Sequence, residues 1–384
     1  TRGRIRSQCL KRNIRHSAQF KEAFGDARAD RTQYLPQMVA DELKGGNLGV
    51  PANELESLMV AIAGKFKKEE RRSEPEASED GEEEEKSAGS PSTVDGAGKT
   101  PQLVFFPPPF ARRIGDLTAD LRKRNSAAYD LFIGRKAKLS DKEKKALNAE
   151  IDEFVKQAAE ASKTLTVDIG LFGRMTTSDL VVNVEAACQV AHAISTHETL
   201  IENDYFTVMD DRRHIYASTQ TERAGAAFIG SGTFFNAAVY YKYLNLDVAA
   251  LMKHLPSLTK EDAAHVAGVL VNAAALATPT GKQNSFASHS VPELILVEVT
   301  QARRPLSYAN AFLQPVEGQN LMTESAKALN WYVDSVAAAF APKDMGRLLL
   351  AVGAASAPLQ SAHTSVQTLD ELVESLGTLI KKEG

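Results

Sequence analysis

The sequence predicts an α+β fold with a helical insertion. Helical and extended patterns both occur along the chain, they do not alternate regularly, and no internal repeat is visible. The chain has 384 residues, of which 43% are hydrophobic. This is enough apolar material for one elaborated domain or for two ordinary ones.

The helices are predicted from apolar residues that recur at helical spacing. Ser7 can cap a first helix that runs to Phe24, and Leu10, Ile14 and Ala18 share one of its faces. Residues 30–67 contain further helical segments, which prolines and a pair of glycines interrupt. The remaining helices are predicted at 114–132, 141–163, 259–278, 324–340 and 369–382.

The strands are predicted where β-branched and aromatic residues concentrate. Residues 185–196 are rich in alanine, so their composition is equally compatible with a helix. The predicted strands are 102–106, 166–171, 185–196, 235–246 and 293–299.

Charge is distributed unevenly along the chain. Residues 69–86 hold ten acidic and three basic side chains, so the rest of the chain carries about +3 although the whole carries −4. The surrounding segment 68–100 is poor in aromatic residues and is predicted to be a disordered surface loop. The surface elsewhere can therefore be locally basic.

The first helix carries a basic stripe. Gln8, Lys11, Arg12 and Arg15 fall at helical spacing on the side opposite Leu10 and Ile14. Cations gathered on one face repel each other unless an anion lies against them, and a helix N-terminus also favours phosphate. Phosphate binding and a merely solvated basic face are equally compatible with this pattern.

The cysteines and the hydropathy indicate the compartment. Cys9 and Cys188 are far apart and lack a metal-type spacing, which favours a reducing, cytoplasmic environment. The most apolar helical stretch, 262–278, is too short to span a bilayer, so no membrane association is predicted.

Several motifs then point in order to one family. They are RIRSQCLKR at 4–12, DIGLFGRMTTS at 168–178, AHAISTH at 191–197, DYFTVMDD at 204–211, PLSYANAF at 305–312 and, more loosely, GKQNSFA at 281–287. Through these collinear motifs the chain resembles the backbone subunit of the type I-E CRISPR Cascade surveillance complex, which coats the CRISPR RNA.

The resemblance implies a right-hand shape with an RRM-like (ferredoxin-like) palm, a helical fingers insertion and a long β-hairpin thumb. The first palm strand is then expected to precede Thr1. The implied parts are the first palm helix at 1–24, the fingers with the acidic loop at 25–165, palm at 166–204, the thumb at 205–235, and palm with C-terminal helices at 236–384.

The resemblance also implies a function and its residues. Copies of the chain would line up head to tail along the CRISPR RNA, join other Cascade subunits and leave bases free to pair with a target DNA strand, without catalysis or a cofactor. The implied RNA-binding residues are Ser7, Gln8, Lys11, Arg12, Arg15, Arg174, Met175, Tyr205, Phe206, Thr207, Lys282 and Gln283, and the implied target-DNA contacts are Lys142, Lys144 and Lys145.

The residues alone leave plainer interpretations open. Without the resemblance, Met175 is more often a core residue than a wedge between bases. Two adjacent aromatics such as Tyr205 and Phe206 more often mean one buried and one exposed strand position. The fingers lysines are equally typical of a solvated helix face.

The residues also suggest two other functional classes. A metal-dependent ribonuclease, like the type III backbone subunits, would use ligands from the set His192, His197, Asp210, Asp211 and His214. The spacing disfavours it, because His192 and His197 point to opposite sides of a strand and adjacent aspartates do the same. A scaffold that binds no nucleic acid would leave the basic stripe of the first helix without a purpose.

Overall fold

The computed structural model describes residues 1–45, 50–66, 98–135, 139–204, 207–208, 211–212, 215, 228–229, 233–302, 304–340, 342, 345–356 and 359–383. Within these ranges the chain mixes helices and short sheets, so the predicted α+β class is confirmed at that level. None of the helices in these ranges combines the length and the apolarity needed to cross a membrane.

The helices are numbered in chain order. They are α1 Ser7–His16, α2 Ala18–Phe24, α3 Leu35–Gly45, α4 Leu55–Gly64, α5 Phe110–Arg124, α6 Ser126–Phe132, α7 Asp141–Ala161, α8 Val167–Phe172, α9 Val248–His254, α10 Lys260–Leu276, α11 Gln283–Phe286, α12 Leu321–Phe340 and α13 Leu369–Glu383.

The strands are short and are numbered in the same way. They are β1 Arg4–Ile5, β2 Asp30–Thr32, β3 Val104–Phe106, β4 Cys188–Val190, β5 Ala193–Ser195, β6 Glu202–Asp204, β7 Thr207–Val208, β8 Phe228–Ile229, β9 Thr233–Phe235, β10 Tyr240–Tyr241, β11 Leu244–Leu246, β12 Leu294–Val299, β13 Gly346–Ala351 and β14 Thr364–Val366.

The chain divides into two units, which we describe separately. Unit 1 consists of Thr1–Gln19, Val190–Asn245 and Lys260–Gly384, and unit 2 consists of Phe20–Gln189 and Leu246–Thr259.

Unit 2 is built around a helical core. Helices α3 to α7 pack around fully buried aromatic side chains, among them Tyr129 and Phe154. The rings of Phe106 and Phe110 stack with centroids 5.7 Å apart, which ties strand β3 to the start of α5. Strand β3 pairs antiparallel with β2, and a capping box between Ser140 and Glu143 begins α7.

Unit 1 is built around a three-stranded sheet. Strand β12 pairs antiparallel with β13, which pairs parallel with β14. Val333 of α12 and Leu349 of β13 belong to one apolar cluster, while α13 packs against β13 and α10. A Cβ placed on Gly268 of α10 would lie 2.7 Å from Val373 Cγ1 of α13, so these helices approach closely only because residue 268 is glycine. Helix α1 packs against α10, and β1, β5 and β10 form a second small sheet.

Three local predictions were wrong. One is the helix predicted at 114–132, which is divided at Asn125 into α5 and α6. Residues 166–171, predicted as a strand from their β-branched residues, form helix α8 instead. The buried carboxylate of Asp168 accepts a local hydrogen bond from the Thr166 hydroxyl and a long-range one from the Ala29 amide, and together they override the strand propensity. The helix predicted at 7–24 breaks at Ser17, whose backbone is extended and whose hydroxyl donates to the Ile14 carbonyl.

The other long predictions agree with the structure. The helices predicted near 141–163, 259–278, 324–340 and 369–382 are α7, α10, α12 and α13, and the strand predicted at 293–299 is β12. The alanine-rich stretch contains strands β4 and β5, which decides between its two interpretations. The acidic segment lies outside the described residues as far as residue 97.

Candidate functional site

Helix α1 carries the first candidate surface, in unit 1. Leu10 and Ile14 are buried, as the apolar spacing predicted. On the other side Gln8 and Arg12 are exposed, and Ser7 and Lys11 are half-buried. Successive residues advance by about 100° around a helix, so Gln8 and Arg12 lie one above the other on the outer face. Four of the five residues predicted on this helix therefore reach the surface at least in part.

Arg15 departs from the predicted stripe. Its side chain is only 6% exposed, and it makes contacts within the chain. Its position on the helix places it beyond Lys11, toward the buried side, and the helix ends one residue later. The exposed continuation of the Gln8 and Arg12 row is instead His16. We therefore leave Arg15 out of the surface that this helix presents.

Two further arginines of this surface were missed from the sequence. Arg4 in β1 and Arg6, which directly precedes α1, are both exposed. Ser7 is the first residue of the helix rather than its cap, and the N-cap Arg6 provides no side-chain hydrogen bond. Among the described residues, Arg4, Arg6, Lys11 and Arg12 form no ion pair. Clustering of arginine before the helix was the signal that could have found them.

A hairpin in unit 2, whose loop spans residues 175–183, carries the second candidate surface. The backbone N–H and C=O of Arg174 both bond to Val184, at 2.9 and 2.8 Å, which closes the hairpin. Gly173 precedes it with φ +77°, and a Cβ there would lie 2.9 Å from the Val184 carbonyl oxygen. Only glycine fits this turn without strain.

Arg174 is buried and structural, contrary to its predicted role. Its guanidinium donates to the carbonyls of Val182, Phe105 and Ser162 at 3.0, 3.3 and 2.7 Å, and the residue is 2% exposed. Burial lowers the pKa of Arg174 to about 10, so it remains a cation at neutral pH. With these donors already occupied inside the protein, the side chain has no surface left for RNA.

Met175, the next residue, is the opposite case. Its side chain is 88% exposed, which excludes the core position that composition alone would favour. Thr176 and Ser178 are buried while Thr177 is exposed, so the chain alternates and holds Met175 and Thr177 on the outer side. The Thr176 amide donates to Asn183 Oδ1 at 2.6 Å, which fixes this strand of the hairpin.

The loop around α11 in unit 1 is held in an unusual backbone conformation. Lys282 and Ala287 flank this single helical turn with φ of 53° and 44°, values that side-chain-bearing residues rarely adopt. Gln283 donates to the Pro279 carbonyl and accepts from the Ser288 amide, so its amide group stabilises the loop. Lys282 is exposed, and the ring of Phe286 packs 4.9 Å from that of Phe235.

The predicted thumb is described only in part. Strand β6 pairs antiparallel with β9, and β7 pairs antiparallel with β8, so the two pairs are nested as in a hairpin. Thr207 lies in β7, opposite Ile229, whereas Tyr205 and Phe206 lie outside the described residues. Phe234, which was not predicted as a site residue, is 71% exposed on β9.

The basic residues of the fingers region separate into two groups. Arg122 and Arg135 bind the buried carboxylate of Glu54 at 3.3 and 3.0 Å, and Arg124 pairs with Glu150 at 3.3 Å. Arg122 and Arg135 thereby neutralise a buried carboxylate of unit 2, whereas the Arg124 pair lies at the surface. The second group is exposed and forms no ion pair within the described ranges. It includes Lys142, Lys144 and Lys145 in the first two turns of α7.

The histidines and aspartates considered as metal ligands do not form a cluster in the part of the chain that is described. His197 is 7% exposed, and its Nε2 accepts the Val239 amide at 3.1 Å. Its Nδ1 therefore carries the proton and donates to the Glu198 carbonyl at 2.7 Å, so neither nitrogen is available to a metal. His192 and Asp211 are exposed, while Asp210 and His214 lie outside the described ranges.

Comparisons with known proteins concern the fold and the family of the chain. A search of curated proteins finds no match. A structure titled "CRISPR RNA-guided surveillance complex, pre-nicking" contains a chain of 22% identity that superposes with a TM-score of 0.69, over 99% of this chain and 91% of that one. A second, titled "CRISPR RNA-guided surveillance complex", gives 20% identity and a TM-score of 0.61, over 98% of this chain and 89% of that one.

These likenesses show a shared fold, and a family match extends over nearly the whole sequence. Residues 1–375 match the family described as CT1975-like protein. The resemblance to a Cascade-type subunit is confirmed at this coarse level, whereas the type I-E subtype stays a prediction. The chain belongs to the CT1975-like protein family.

Proposed function

We propose that this chain is a non-catalytic, RNA-binding subunit of a Cascade-type CRISPR surveillance complex. In this proposal several copies line up head to tail along one CRISPR RNA, together with other subunits in the cytoplasm, and leave bases of the guide free to pair with target DNA. The family match, and the titles of the solved structures that share the fold, support membership of an RNA-guided complex.

The outer face of α1 is the observation that carries the proposal. Arg12 is exposed, Lys11 is partly exposed, and Arg4 and Arg6 lie just before the helix. No carboxylate of the described residues forms an ion pair with them, so the positive potential of this surface can attract a polyanion. The helix N-terminus, which lacks a side-chain cap, adds unsatisfied N–H groups and a positive dipole end of the same sign.

Met175 supports the same function by a different physical route. A flexible, polarisable side chain held in solvent on a fixed hairpin can pack against any base, because every base has an apolar face. Contacts to phosphate and to base faces do not read sequence. This is what a subunit needs if base pairing by the guide is to carry the specificity.

The finer parts of the proposal follow the resemblance. The palm would be RRM-like, the antiparallel pairs β6–β9 and β7–β8 would form the thumb, and the subtype would be I-E. The exposed lysines of α7 would touch the target-strand backbone without sequence preference. The bonded state of His197 favours a non-catalytic subunit over the metal-dependent ribonuclease.

The proposal is tested by a charge reversal on α1. The full chain would be expressed with a CRISPR array, and the RNA that copurifies with it would be measured per protein by absorbance and by sizing of the extracted RNA. We expect the double variant Lys11→Glu and Arg12→Glu to lose the RNA, because two attractive contacts become repulsive.

The matched control reverses the same amount of charge elsewhere in unit 1. Lys381 and Lys382 are exposed at the end of α13, and their change to glutamate should leave the RNA bound. Thermal unfolding curves would confirm that both variants fold. Normal RNA in the α1 variant would refute the proposal, and cleaved RNA that depends on a divalent metal would favour the ribonuclease.

A further inference from the structure

A second surface of unit 2 adjoins the Met175 hairpin. Val104 and Phe106 of β3 are buried in the helical core, so strand alternation turns Phe105 and Leu103 outward. Arg31 of β2 lies directly opposite Phe105 and is exposed. Its guanidinium carbon lies 5.6 Å from the centroid of the Phe105 ring.

The same arrangement of a cation over an aromatic ring recurs beside it. Lys99 Nζ lies 5.2 Å from the centroid of the Tyr34 ring, which is half exposed. Thr100 holds the two segments together, because its amide and its hydroxyl both donate to the Gln33 carbonyl, at 2.7 and 3.2 Å. We call Arg31, Tyr34, Lys99, Leu103 and Phe105 the outer ribbon face.

Two hydrogen bonds join this face to the Met175 hairpin. Gln102, which precedes β3, donates from Nε2 to the hydroxyl of Thr177 at 2.9 Å. The buried guanidinium of Arg174 donates to the carbonyl of Phe105 at 3.3 Å. Met175 and Thr177 are exposed, so the methionine lies on a segment that is hydrogen-bonded directly to the strand of the outer ribbon face.

The chemistry of this surface favours single-stranded nucleic acid. Aromatic rings and the planar face of an arginine stack on bases, and a nearby lysine attracts the phosphates. Neither Arg31 nor Lys99 forms an ion pair with a carboxylate in the part of the chain that is described. Asp30, the adjacent carboxylate on β2, points to the other side of the strand by alternation.

We propose that the outer ribbon face is a base-stacking site for the segment of CRISPR RNA next to the Met175 contact. This inference rests on the proposed function and adds a site that lies outside the motifs shared with the Cascade backbone subunit. The cation already held over each ring forms a preorganised platform, so little side-chain freedom is lost when a base stacks on it.

The test uses the full chain and a fluorescein-labelled, single-stranded RNA of mixed sequence, followed by fluorescence anisotropy. We expect the double variant Arg31→Ala and Tyr34→Leu to bind about tenfold more weakly, as for the loss of about one stacked base. Phe105→Leu removes no charge, so it should weaken binding while leaving the salt dependence of the affinity unchanged.

The control removes an exposed arginine and an exposed aromatic residue from elsewhere in the chain. Arg112 of α5 and Trp331 of α12 are both exposed, and the double variant Arg112→Ala and Trp331→Leu should bind RNA like the wild type. Thermal unfolding would show whether the half-buried Phe105 tolerates the change. The exposed pair Arg31 and Tyr34 keeps the test decisive if it does not.

The outcomes separate this inference from the proposed function. If wild-type protein does not bind the RNA, both fail. If the α1 charge reversal abolishes binding but the ribbon variants bind like the control, the ribbon site is wrong and the proposed function stands. If the ribbon variants bind RNA normally but form particles of lower native mass, the face contacts another protein and the inference is overturned. Photocrosslinks from 4-thiouridine to the peptide of Tyr34 or Phe105 would support it.

Discussion

Replacing Arg174 with lysine separates a structural from an RNA-binding role at this position. The arginine bridges three carbonyls from separate parts of unit 2, namely Val182 in the hairpin, Phe105 in β3 and Ser162 after α7. Lysine keeps the charge, but it lacks the planar fork and cannot reach all three acceptors at once. One or two of the three carbonyls would then be left without a hydrogen-bond donor.

The expected cost follows from that count. A hydrogen bond to a charged group contributes about 1.5–3 kcal/mol, so the loss of one or two bonds should destabilise unit 2 by about 1.5–6 kcal/mol. Met175→Ala is the matched comparison one residue away. Because Met175 is 88% exposed, its removal should change the free energy of unfolding by less than about 0.5 kcal/mol.

The assay measures unfolding and RNA binding on the same two variants. Urea unfolding followed by circular dichroism should show a lower midpoint for Arg174→Lys and an unchanged midpoint for Met175→Ala. RNA affinity should fall about fivefold in Met175→Ala, the effect of roughly 1 kcal/mol of stacking. An unchanged unfolding midpoint in Arg174→Lys, together with weaker RNA binding, would show that the buried-arginine argument is wrong.

Two further predictions concern backbone geometry and pH. Gly173→Ala should lower the free energy of unfolding by about 1–3 kcal/mol, because φ at this position is +77° and the new Cβ would meet the Val184 carbonyl. Unchanged protection of the hairpin amides from hydrogen exchange would contradict this prediction. Partial burial would raise the pKa of Asp334, but hydrogen bonds from the Ser361 hydroxyl and from the amides of Gln360 and Ser361 outweigh it and hold this pKa below its usual 3.8. The stabilisation from these hydrogen bonds is complete above about pH 3.8 and is lost as the pH falls through the lowered pKa. The difference in unfolding free energy between the wild type and Asp334→Asn should therefore shrink on acidification. A difference that stays constant down to acid unfolding would contradict this prediction.

Long periodic segments were predictable because their own sequence dictates them. The spacing of Leu372, Leu376 and Ile380 fixes both the existence and the buried face of α13, whatever it packs against. Helix α8 was not predictable in this way. The β-branched residues Thr166, Val167 and Ile169 favour a strand, and what decides for a helix is the hydrogen bond of Asp168 to Ala29, a residue far away along the chain.

The candidate site shows the same limit at the level of single side chains. Spacing on α1 located Gln8, Lys11 and Arg12 correctly on the surface, but it could not show that Arg15 is buried by neighbours outside the helix. Strand β13 was missed because its leucines read as a short apolar run without alternation, which is typical of a strand with both faces covered. In each case the missing information lies in partners that are distant in sequence.

The adjacent residues Arg174 and Met175 illustrate how an ordinary stability rule is inverted where a ligand is expected. A cation is buried and an apolar side chain is exposed, although burying a methionine would contribute about 1.5–3 kcal/mol and burying a charge is costly. This reversal of the usual burial is explained if the arginine fixes the hairpin. Its hydrogen bonds to three main-chain carbonyls would hold the hairpin so firmly that the methionine stays in solvent. The apolar group is then placed for a partner outside the chain. In the proposed function this partner is an RNA base, whose apolar face suits the methionine and whose phosphate suits the nearby cations Arg31 and Lys99.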